Sequence, residues 1–519
     1  MTQRALSLAL LTMISLATHT LFADVIVSPI YSDGVVLQRG IPLLVWGKAK
    51  PGETIKITLG KDVATAIADE QGDWCAELTS QKASTEARVM RVEGNNTVEI
   101  KDVVVGDVYF AGGQSNMAMN VGACAKSVAE IGKIASESNY PLIRFSCIND
   151  GPSKKPLDWL ASKPKWMKCS PESVGRFSAA AFFCARRMHL ETKVPIGIID
   201  VSRGGTPIEP FIPESAFVDH PTLVRERELA KRDDLAGLQR LPGGVRARDS
   251  NWLPGRLFHS RLAPLAFQDR KRGFASAGCL WYQGESNCGV MEDPRDYQIK
   301  MRALISSWRS HLSGKNSPFC FVQLPGSGAG PNWPYLREQQ RLAAAAADER
   351  VGMVVTIDLE NPDIHPPNKL DVGERMAAFL LAKNPHLPNQ KRKQINGPIF
   401  ESAEITSGGI EIQFRLDSVP SGLMIAEKVG VSPPAKTPNG SLRHFEVLDD
   451  QGNWHESKAK ILGKNRIEVV SQAVAHPIAA RYAYAISPIG CNLYNAEGLP
   501  ASPFCTRTEM LKCDPGLPE

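Results

Sequence analysis

The spacing of apolar and polar residues divides the chain into regions of different character. Between residues 24 and 105, short apolar runs and alternating stretches such as 54–59 are separated by turns such as Lys50-Pro51-Gly52-Glu53. Alternation with a period of two places one face of a strand in the core and the other in solvent. We therefore predict an N-terminal all-β sandwich domain over residues 24–105.

After Gly106, apolar strand patterns begin to alternate with helical patterns. The predicted strands are 108–111, 194–199, 277–282, 319–322 and 351–357, and the predicted helices are 176–191, 297–312, 335–347 and 369–382. This alternation indicates a parallel sheet covered by helices on both faces. We predict an α/β domain over 106–395, with a polar, arginine-rich insertion over 211–272.

β patterns return near the C-terminus. Residues 409–414 alternate cleanly, and 466–470 and 481–485 have the composition of further strands. We predict a C-terminal β domain over 396–519.

The first 23 residues have the layout of a secretory signal peptide. Arg4 gives a positive start, residues 6–17 are mostly apolar, and Leu21-Phe22-Ala23 offers a cleavage point. A membrane anchor is the alternative, although this run is shorter than the ~20 residues that a spanning helix needs. The layout predicts a secreted or periplasmic protein whose mature chain has no membrane span.

Composition narrows the functional classes. The 519 residues carry a net charge of +5, with 43% hydrophobic and 22% charged residues, which is typical of a soluble globular protein. Basic runs with interleaved aromatic residues are missing from the sequence, so we predict no nucleic-acid partner. The eleven cysteines lack the Cys-x-x-Cys spacing of a zinc site, and we predict neither a metal nor another cofactor.

Ser115 is the candidate nucleophile. It lies in Gly112-Gly113-Gln114-Ser115-Asn116-Met117, directly after a predicted strand, where glycines let a substrate approach the backbone closely. A serine needs a base and donors for the oxyanion, and N–H groups at the start of a helix favour such an anion. The alternative is that Ser115 only caps the helix. Met117 shows that this is not the Gly-x-Ser-x-Gly elbow.

His365 is the candidate base. It lies in the turn-like segment 361–367 after a predicted strand, and loops at the carboxyl ends of parallel strands hold the sites of such sheets. Asp363 lies two residues earlier, where its carboxylate can orient the imidazole. His189, inside a predicted helix, and His476, before a proline, are interpreted as structural.

Two more segments at strand ends supply candidate hydrogen-bond donors. Gln283 and Asn287 are neutral amides, which can donate to developing negative charge without titrating. Trp281 and Tyr282 either stack on a sugar ring or pack inside the protein. In the segment Ser202-Arg203-Gly204-Gly205-Thr206, the glycines can offer a backbone N–H.

The combination of GGQSNM, RGGT, WYQGESN and DIHPPNK resembles the bacterial sialate O-acetylesterases, within the SGNH/GDSL hydrolase superfamily. The resemblance covers nearly the whole mature chain, because VVLQRGIPLLVWG and NLYNAEGLPASPF are similar to the family's leading and closing β domains. It implies a flavodoxin-like three-layer α/β/α catalytic domain flanked by N- and C-terminal β-sandwich domains.

The resemblance also implies roles for residues of the site, with Ser115 as nucleophile and His365 as base. The oxyanion donors that it implies are the backbone N–H groups of Ser115 and of Gly205 (or Gly204), and the side-chain amide of Gln283 or Asn287. The residues expected to contact the substrate are Gln114, Trp281 and Glu285.

The spacing Asp363-Ile364-His365 departs from the Asp-x-x-His pattern of the superfamily. The acid behind His365 is therefore open between Asp363, Asp358 and a backbone carbonyl group, the last of which would leave a Ser–His dyad.

These residues together predict a serine esterase that hydrolyses O-acetyl esters of carbohydrates, with an acetylated sialate as the first expected substrate. An esterase for xylan or another acetylated polysaccharide is one alternative. A non-catalytic, carbohydrate-binding surface protein of the same fold is the other.

Overall fold

The computed structural model describes residues 24–242, 250–267, 272–288, 293–327, 330–359, 361–387 and 394–513. The predicted signal peptide and parts of the predicted insertion lie outside these residues. Within them, no helix has the length and apolar character needed to cross a membrane. All eleven cysteines are described, and the free thiols among them include Cys75, Cys124, Cys147, Cys169, Cys184, Cys279, Cys320 and Cys505.

The N-terminal region consists of strands. They are β1 (Ile26–Val27), β2 (Val36–Gln38), β3 (Leu43–Lys48), β4 (Thr54–Leu59), β5 (Asp62–Ile67), β6 (Asp73–Leu78), β7 (Ser84–Glu93) and β8 (Thr97–Gly113). Strands β1, β3 and β6 form one sheet, whereas β4, β5 and β7 pair with one another and join β8. The buried side chains of β4 are Ile55, Ile57 and Leu59, the alternation from which the strand was predicted.

Strand β8 connects this region to the α/β region. It is 17 residues long, and the predicted boundary between residues 105 and 106 falls inside it. Its first half pairs with β7 and its second half belongs to the parallel sheet. One hydrophobic core extends through both regions, so the end of β8, where Ser115 follows, is held from both sides.

The α/β region alternates strands and helices. Its elements are α1 (Ser115–Ala118), α2 (Val121–Ala125), α3 (Ala129–Ser136), β9 (Tyr140–Cys147), β10 (Met167–Cys169), α4 (Ala179–Thr192), β11 (Ile196–Asp200), α5 (Pro221–Lys231), α6 (Leu235–Arg240), β12 (Gly278–Tyr282), α7 (Tyr297–Trp308), β13 (Phe319–Val322), α8 (Trp333–Ala345), β14 (Val351–Val354) and α9 (Lys369–Lys383). Helices α5 and α6 lie in the predicted insertion.

The central sheet has the order β10-β9-β11-β8-β12-β13-β14. Its strands are parallel except for β10 at the edge. This order differs from the flavodoxin-like order 2-1-3-4-5 that the resemblance implied. The difference arises because the chain from β8 to β9 skips one strand position, which β11 then fills.

Two glycines show that helices cover both faces of this sheet. A Cβ atom at Gly112 would lie 2.3 Å from Trp308 of α7, and one at Gly352 would lie 2.3 Å from Phe379 of α9. The strand register places Gly112 in the same row as Met353, so Gly112 and Gly352 point to opposite faces. Small residues at these positions let the two helices approach the sheet closely.

The C-terminal region is again made of strands. They are β15 (Phe400–Thr406), β16 (Gly409–Phe414), β17 (Leu423–Glu427), β18 (Ala435–Lys436), β19 (Leu442–Leu448), β20 (Trp454–Ile461), β21 (Arg466–Val470), β22 (Ala479–Tyr482), β23 (Leu493–Asn495) and β24 (Phe504–Cys505). A seven-stranded sheet, β15-β16-β21-β20-β19-β22-β24, accompanies a three-stranded sheet, β18-β17-β23. The larger sheet has a hydrophobic core of its own.

Candidate active site

Ser115 is the first residue of α1, immediately after the turn that ends β8. Gly113 in this turn has φ 134°, and a Cβ atom there would lie 2.0 Å from the carbonyl oxygen of Tyr282. The turn therefore requires glycine at this position. The N-cap residue of α1 is Gln114, and no side chain caps the helix, so the alternative role of Ser115 as a helix cap is wrong.

The structure brings His365 to Ser115. Nε2 of the imidazole lies 2.8 Å from the Ser115 hydroxyl oxygen. The imidazole is half-buried, with 37% of its side chain exposed. An unprotonated Nε2 at this distance accepts the hydroxyl proton, which is the geometry that activates a serine for attack.

Asp363 is the acid that contacts His365. One of its carboxylate oxygens lies 3.2 Å from Nδ1 of the imidazole and accepts the backbone N–H of His365 at 2.8 Å. The Asp363 side chain is 66% exposed, so water competes for this contact.

Asp358, the alternative acid, has other partners. Both of its carboxylate oxygens accept from Arg375 at 2.7 Å, and one also accepts from the Tyr494 hydroxyl at 3.2 Å. Asp358 therefore joins α9 to the C-terminal region and is not the partner of His365. Nδ1 of His365 also has no backbone carbonyl partner among the residues that the structure describes, which argues against the third alternative.

The two amides predicted to hold the oxyanion are engaged inside the protein. Gln283 is fully buried, and its Nε2 donates to Asn287 Oδ1 at 2.7 Å and to Gln114 Oε1 at 3.1 Å. Asn287 Nδ2 donates to the carboxylate oxygens of Glu209 at 3.1 and 3.2 Å. The structure corrects this prediction, because both amides use their donors within a buried hydrogen-bond network.

That network orients Gln114, which precedes the nucleophile. Gln114 Oε1 accepts from Gln283 Nε2 and, at 3.0 Å, from the backbone N–H of Ser286. A backbone N–H can only donate, so the oxygen of the amide is fixed and Nε2 points away from it. Over the described part of the chain Nε2 has no acceptor, so this donor is not used within those residues.

The glycine loop after β11 faces the nucleophile turn. A Cβ atom at Gly204 would lie 3.8 Å from the Cβ of Ser115, whereas Gly205 is near Trp252. The backbone N–H of Arg203 donates to the carbonyl of Gly113 at 3.0 Å and fixes the loop against the turn. Of the two glycines that were predicted as alternatives, Gly204 is therefore the one beside Ser115.

Trp281 and Glu285, which were expected to contact substrate, are buried. Trp281 is fully buried and makes edge contacts with Phe211 and Trp308 at centroid distances of 5.2 and 5.4 Å. Packing, the alternative to stacking on a sugar ring, is thus confirmed for Trp281 and also for Tyr282, which is 1% exposed. Burial raises the pKa of Glu285, whose carboxylate accepts a hydrogen bond from Asn116.

Two buried residues beside the site had no predicted role. Asn116 follows the nucleophile, and Lys369 begins α9 after the histidine loop. Lys369 Nζ donates to Asn116 Oδ1 at 2.6 Å and to the Pro366 carbonyl at 2.6 Å. Burial lowers the pKa of Lys369 to about 8. The sequence offered one indication of their importance: Asn116 lies in GGQSNM and Lys369 in DIHPPNK. Residues that share a motif with a candidate catalytic residue often hold it in position.

Comparisons with known proteins extend over nearly the whole chain. Residues 242–382 match the family described as carbohydrate esterase, sialic acid-specific acetylesterase. The sialate O-acetylesterases of Pongo abelii and Homo sapiens are 25% and 24% identical to the chain, covering 92% of it and 91% of each relative.

A solved structure gives a similar result. A carbohydrate acetylesterase from Xanthomonas citri is 29% identical, with a TM-score of 0.77, and the match covers 93% of this chain and 100% of that one. Over nearly its whole length the chain is therefore similar to sialate O-acetylesterases and to a carbohydrate acetylesterase, and these similarities support a carbohydrate O-acetylesterase function.

Proposed function

We propose that Ser115 is the nucleophile and His365 the general base of a serine esterase that removes O-acetyl groups from carbohydrates. The similarity to sialate O-acetylesterases and to a carbohydrate acetylesterase supports a carboxylic ester hydrolase that acts on O-acetylated carbohydrates. The observation that supports the two catalytic roles is the 2.8 Å contact between the Ser115 hydroxyl and His365 Nε2.

The reaction proceeds in two steps. His365 takes the hydroxyl proton as Ser115 attacks the acetyl carbonyl, and the imidazolium then protonates the leaving sugar oxygen. Water, deprotonated by the same imidazole, then attacks the acetyl-enzyme. The bond between Ser115 Oγ and the acetyl carbon breaks, the imidazolium returns its proton to Ser115 Oγ, and acetic acid leaves as acetate and a proton.

Three donors surround the position of the oxyanion in this proposal. They are the backbone N–H groups of Ser115 and Gly204 and the side-chain Nε2 of Gln114. In the described chain neither backbone N–H has an acceptor, and Nε2 is oriented by the Ser286 N–H. Donors that are fixed before the reaction stabilise the oxyanion without reorganisation.

We further propose that the chain is secreted and has the SGNH-type arrangement of a catalytic domain between two β domains. The signal-peptide layout of residues 1–23 supports secretion. Helices on both faces of the parallel sheet and strand-rich regions on either side of it support the arrangement.

An acetylated sialate is the substrate that the curated relatives favour, since those proteins are named sialate O-acetylesterases. Acetate release from O-acetylated sialic acid, acetylated xylan and acetylated hexose tests this choice. We expect the highest kcat/KM on the sialate, and a preference for xylan would replace sialate with polysaccharide as the substrate.

Substitution of the nucleophile tests the catalytic roles directly. Ser115→Ala should lower turnover of an aryl acetate by at least about 10⁴-fold, because triad residues act as a unit. A fluorophosphonate probe should label the wild-type protein and leave Ser115→Ala unlabelled. Failure of the wild-type protein to react would instead favour a non-catalytic carbohydrate-binding protein.

A further inference from the structure

The two carbonyl groups on either side of His365 are both held by buried side chains. The Ile364 carbonyl accepts from Asn116 Nδ2 at 2.9 Å, and the Pro366 carbonyl accepts from Lys369 Nζ at 2.6 Å. Lys369 Nζ also donates to Asn116 Oδ1, so the two contacts are linked. Asn116 and Lys369 are both fully buried. The backbone of His365 is therefore held from both sides by one cluster.

Glu285 completes this cluster. Its Oε1 accepts from Asn116 Nδ2, and its buried Oε2 has no hydrogen-bond partner within the described residues. Burial raises the pKa of Glu285, while the Asn116 hydrogen bond and attraction to Lys369 and His365 lower it. The attraction is mutual, so an ionised Glu285 stabilises the protonated imidazole that forms when Ser115 is deprotonated.

The surroundings of Lys369 act on its pKa in opposite directions. Burial lowers its pKa, and Cys124, Glu285 and Asp363 act in the opposite direction. Its ammonium group also lies over the Tyr282 ring, 5.2 Å from the centroid. A buried cation and a buried carboxylate on either side of Asn116 fix the orientation of that amide, because each terminus has a charged partner.

We propose that Asn116, Lys369 and Glu285 position His365 for the reaction, the task that a buried acid performs in a Ser–His–Asp triad. This inference rests on the proposed function. Asn116 and Lys369 donate to carbonyl groups of the histidine loop, and Asn116 joins Lys369 to Glu285. Asp363 is mostly exposed, so its contact with Nδ1 is open to competition from water, whereas the cluster is not.

Asn116 links the cluster to the nucleophile. It follows Ser115 directly in α1, so the side chain that donates to the histidine loop belongs to the residue next to the nucleophile. A displacement of the histidine loop relative to Ser115 would have to break hydrogen bonds that are buried.

Lys369→Met removes the two hydrogen bonds that Lys369 Nζ donates, to Asn116 Oδ1 and to the Pro366 carbonyl, and keeps an unbranched side chain of similar length. We expect kcat to fall about 100-fold with KM nearly unchanged, because a small misplacement of a catalytic group affects the reaction step more than binding. The midpoint of thermal unfolding is measured alongside, so that activity is expressed per folded molecule.

Glu285→Gln keeps an acceptor for Asn116 and removes the charge. We expect kcat to fall about tenfold with KM nearly unchanged, because the Asn116 amide loses the charged partner that fixes its orientation. Glu338→Gln is the matched control. Glu338 is also buried, has a pKa raised by burial and lies on α8 with Arg341 as its partner. Its substitution should leave kcat and KM unchanged.

Wild-type kcat in folded Lys369→Met, together with wild-type kcat in Glu285→Gln, would overturn the positioning role. An equal fall of kcat in Glu338→Gln would also overturn it, because the effect would then follow from any loss of buried charge. If Lys369→Met does not fold, Glu285→Gln decides alone. A failure of the proposed function is distinguishable, since Ser115→Ala would then remain active.

Discussion

The Ser115 hydroxyl lies 2.8 Å from Nε2 of His365, although 250 positions separate the two residues in the chain. The order of the sheet explains this contact. Strand β8 ends at the nucleophile turn and β14 precedes the histidine loop, and both are parallel strands of one sheet. The carboxyl ends of both strands lie at the same edge of the sheet. The strand order reverses between β8 and β12, and the loops that follow the strands converge beside such a point.

Asp363→Asn should reduce kcat/KM by about tenfold or less. The Asp363 carboxylate is mostly exposed, and exposed charge pairs contribute little because water screens them. His365→Ala provides the comparison and should lower kcat/KM by at least about 10³-fold. A loss in Asp363→Asn as large as that in His365→Ala would instead identify Asp363 as a full member of a triad.

Gln114→Glu tests the proposed side-chain donor. The substitution keeps the oxygen that accepts from the Ser286 N–H and exchanges the Nε2 donor for a second oxygen. We expect kcat to fall about 10²–10³-fold with little change in the unfolding midpoint, the loss typical of removing one oxyanion donor. Unchanged kcat would show that Gln114 only supports the turn.

Strands with strict alternation or continuous apolar runs could be predicted closely from the sequence. The predicted strands 319–322 and 409–414 have the observed bounds of β13 and β16. Strand β9 was missed, and its register beside β11 rather than β8 was not foreseen. Strand order depends on how the connections pack on the sheet, and local periodicity carries no information about it.

Some contacts of the candidate site could also be predicted from the sequence and others could not. The proximity of Ser115 and His365 could be predicted, because each follows a strand in a loop at the carboxyl end of the parallel sheet. Gln283 was predicted to donate to the oxyanion, and its Nε2 donates inside the protein instead. Gln114 and Gln283 both lie at strand ends, and the sequence does not show which of the two side chains is held by buried partners. In the structure Gln283 is fixed by buried partners, among them the Tyr297 hydroxyl, which donates to its Oε1 at 2.9 Å.

Gly113→Ala should disrupt the nucleophile turn. The added methyl group would meet the Tyr282 carbonyl oxygen at 2.0 Å, so the backbone that carries Ser115 must move. We expect kcat to fall by about 10²-fold or more, because a shift of about 1 Å in a catalytic group has an effect of this size.

Gly52→Ala is the control for this substitution. Gly52 also has a positive φ, 78°, but a Cβ atom there would have no neighbour within 4 Å among the described residues. It should lower the free energy of unfolding by about 1 kcal/mol through backbone strain alone and leave kcat unchanged. Equal losses of kcat in both variants would contradict a specific steric effect at Gly113.

Glu226→Gln should change how stability depends on pH. Glu226 of α5 lies 3.1 Å from Lys300 of α7, which also contacts Glu209. Burial raises the Glu226 pKa from 4.5 to about 8, although attraction to Lys300 opposes this. Between these values the folded state holds a proton that the unfolded chain has released. The free energy of unfolding therefore falls as pH rises through this window.

Urea unfolding of the wild-type protein and of Glu226→Gln at several pH values between about 5 and 8 measures this contribution. The glutamine stays neutral in both states, so the variant should lose less stability than the wild-type protein as pH rises. The difference between the two curves removes the titration of all other groups. Parallel curves would mean that Glu226 is ionised beside Lys300 throughout this range, and that the ion pair outweighs the cost of burying the carboxylate.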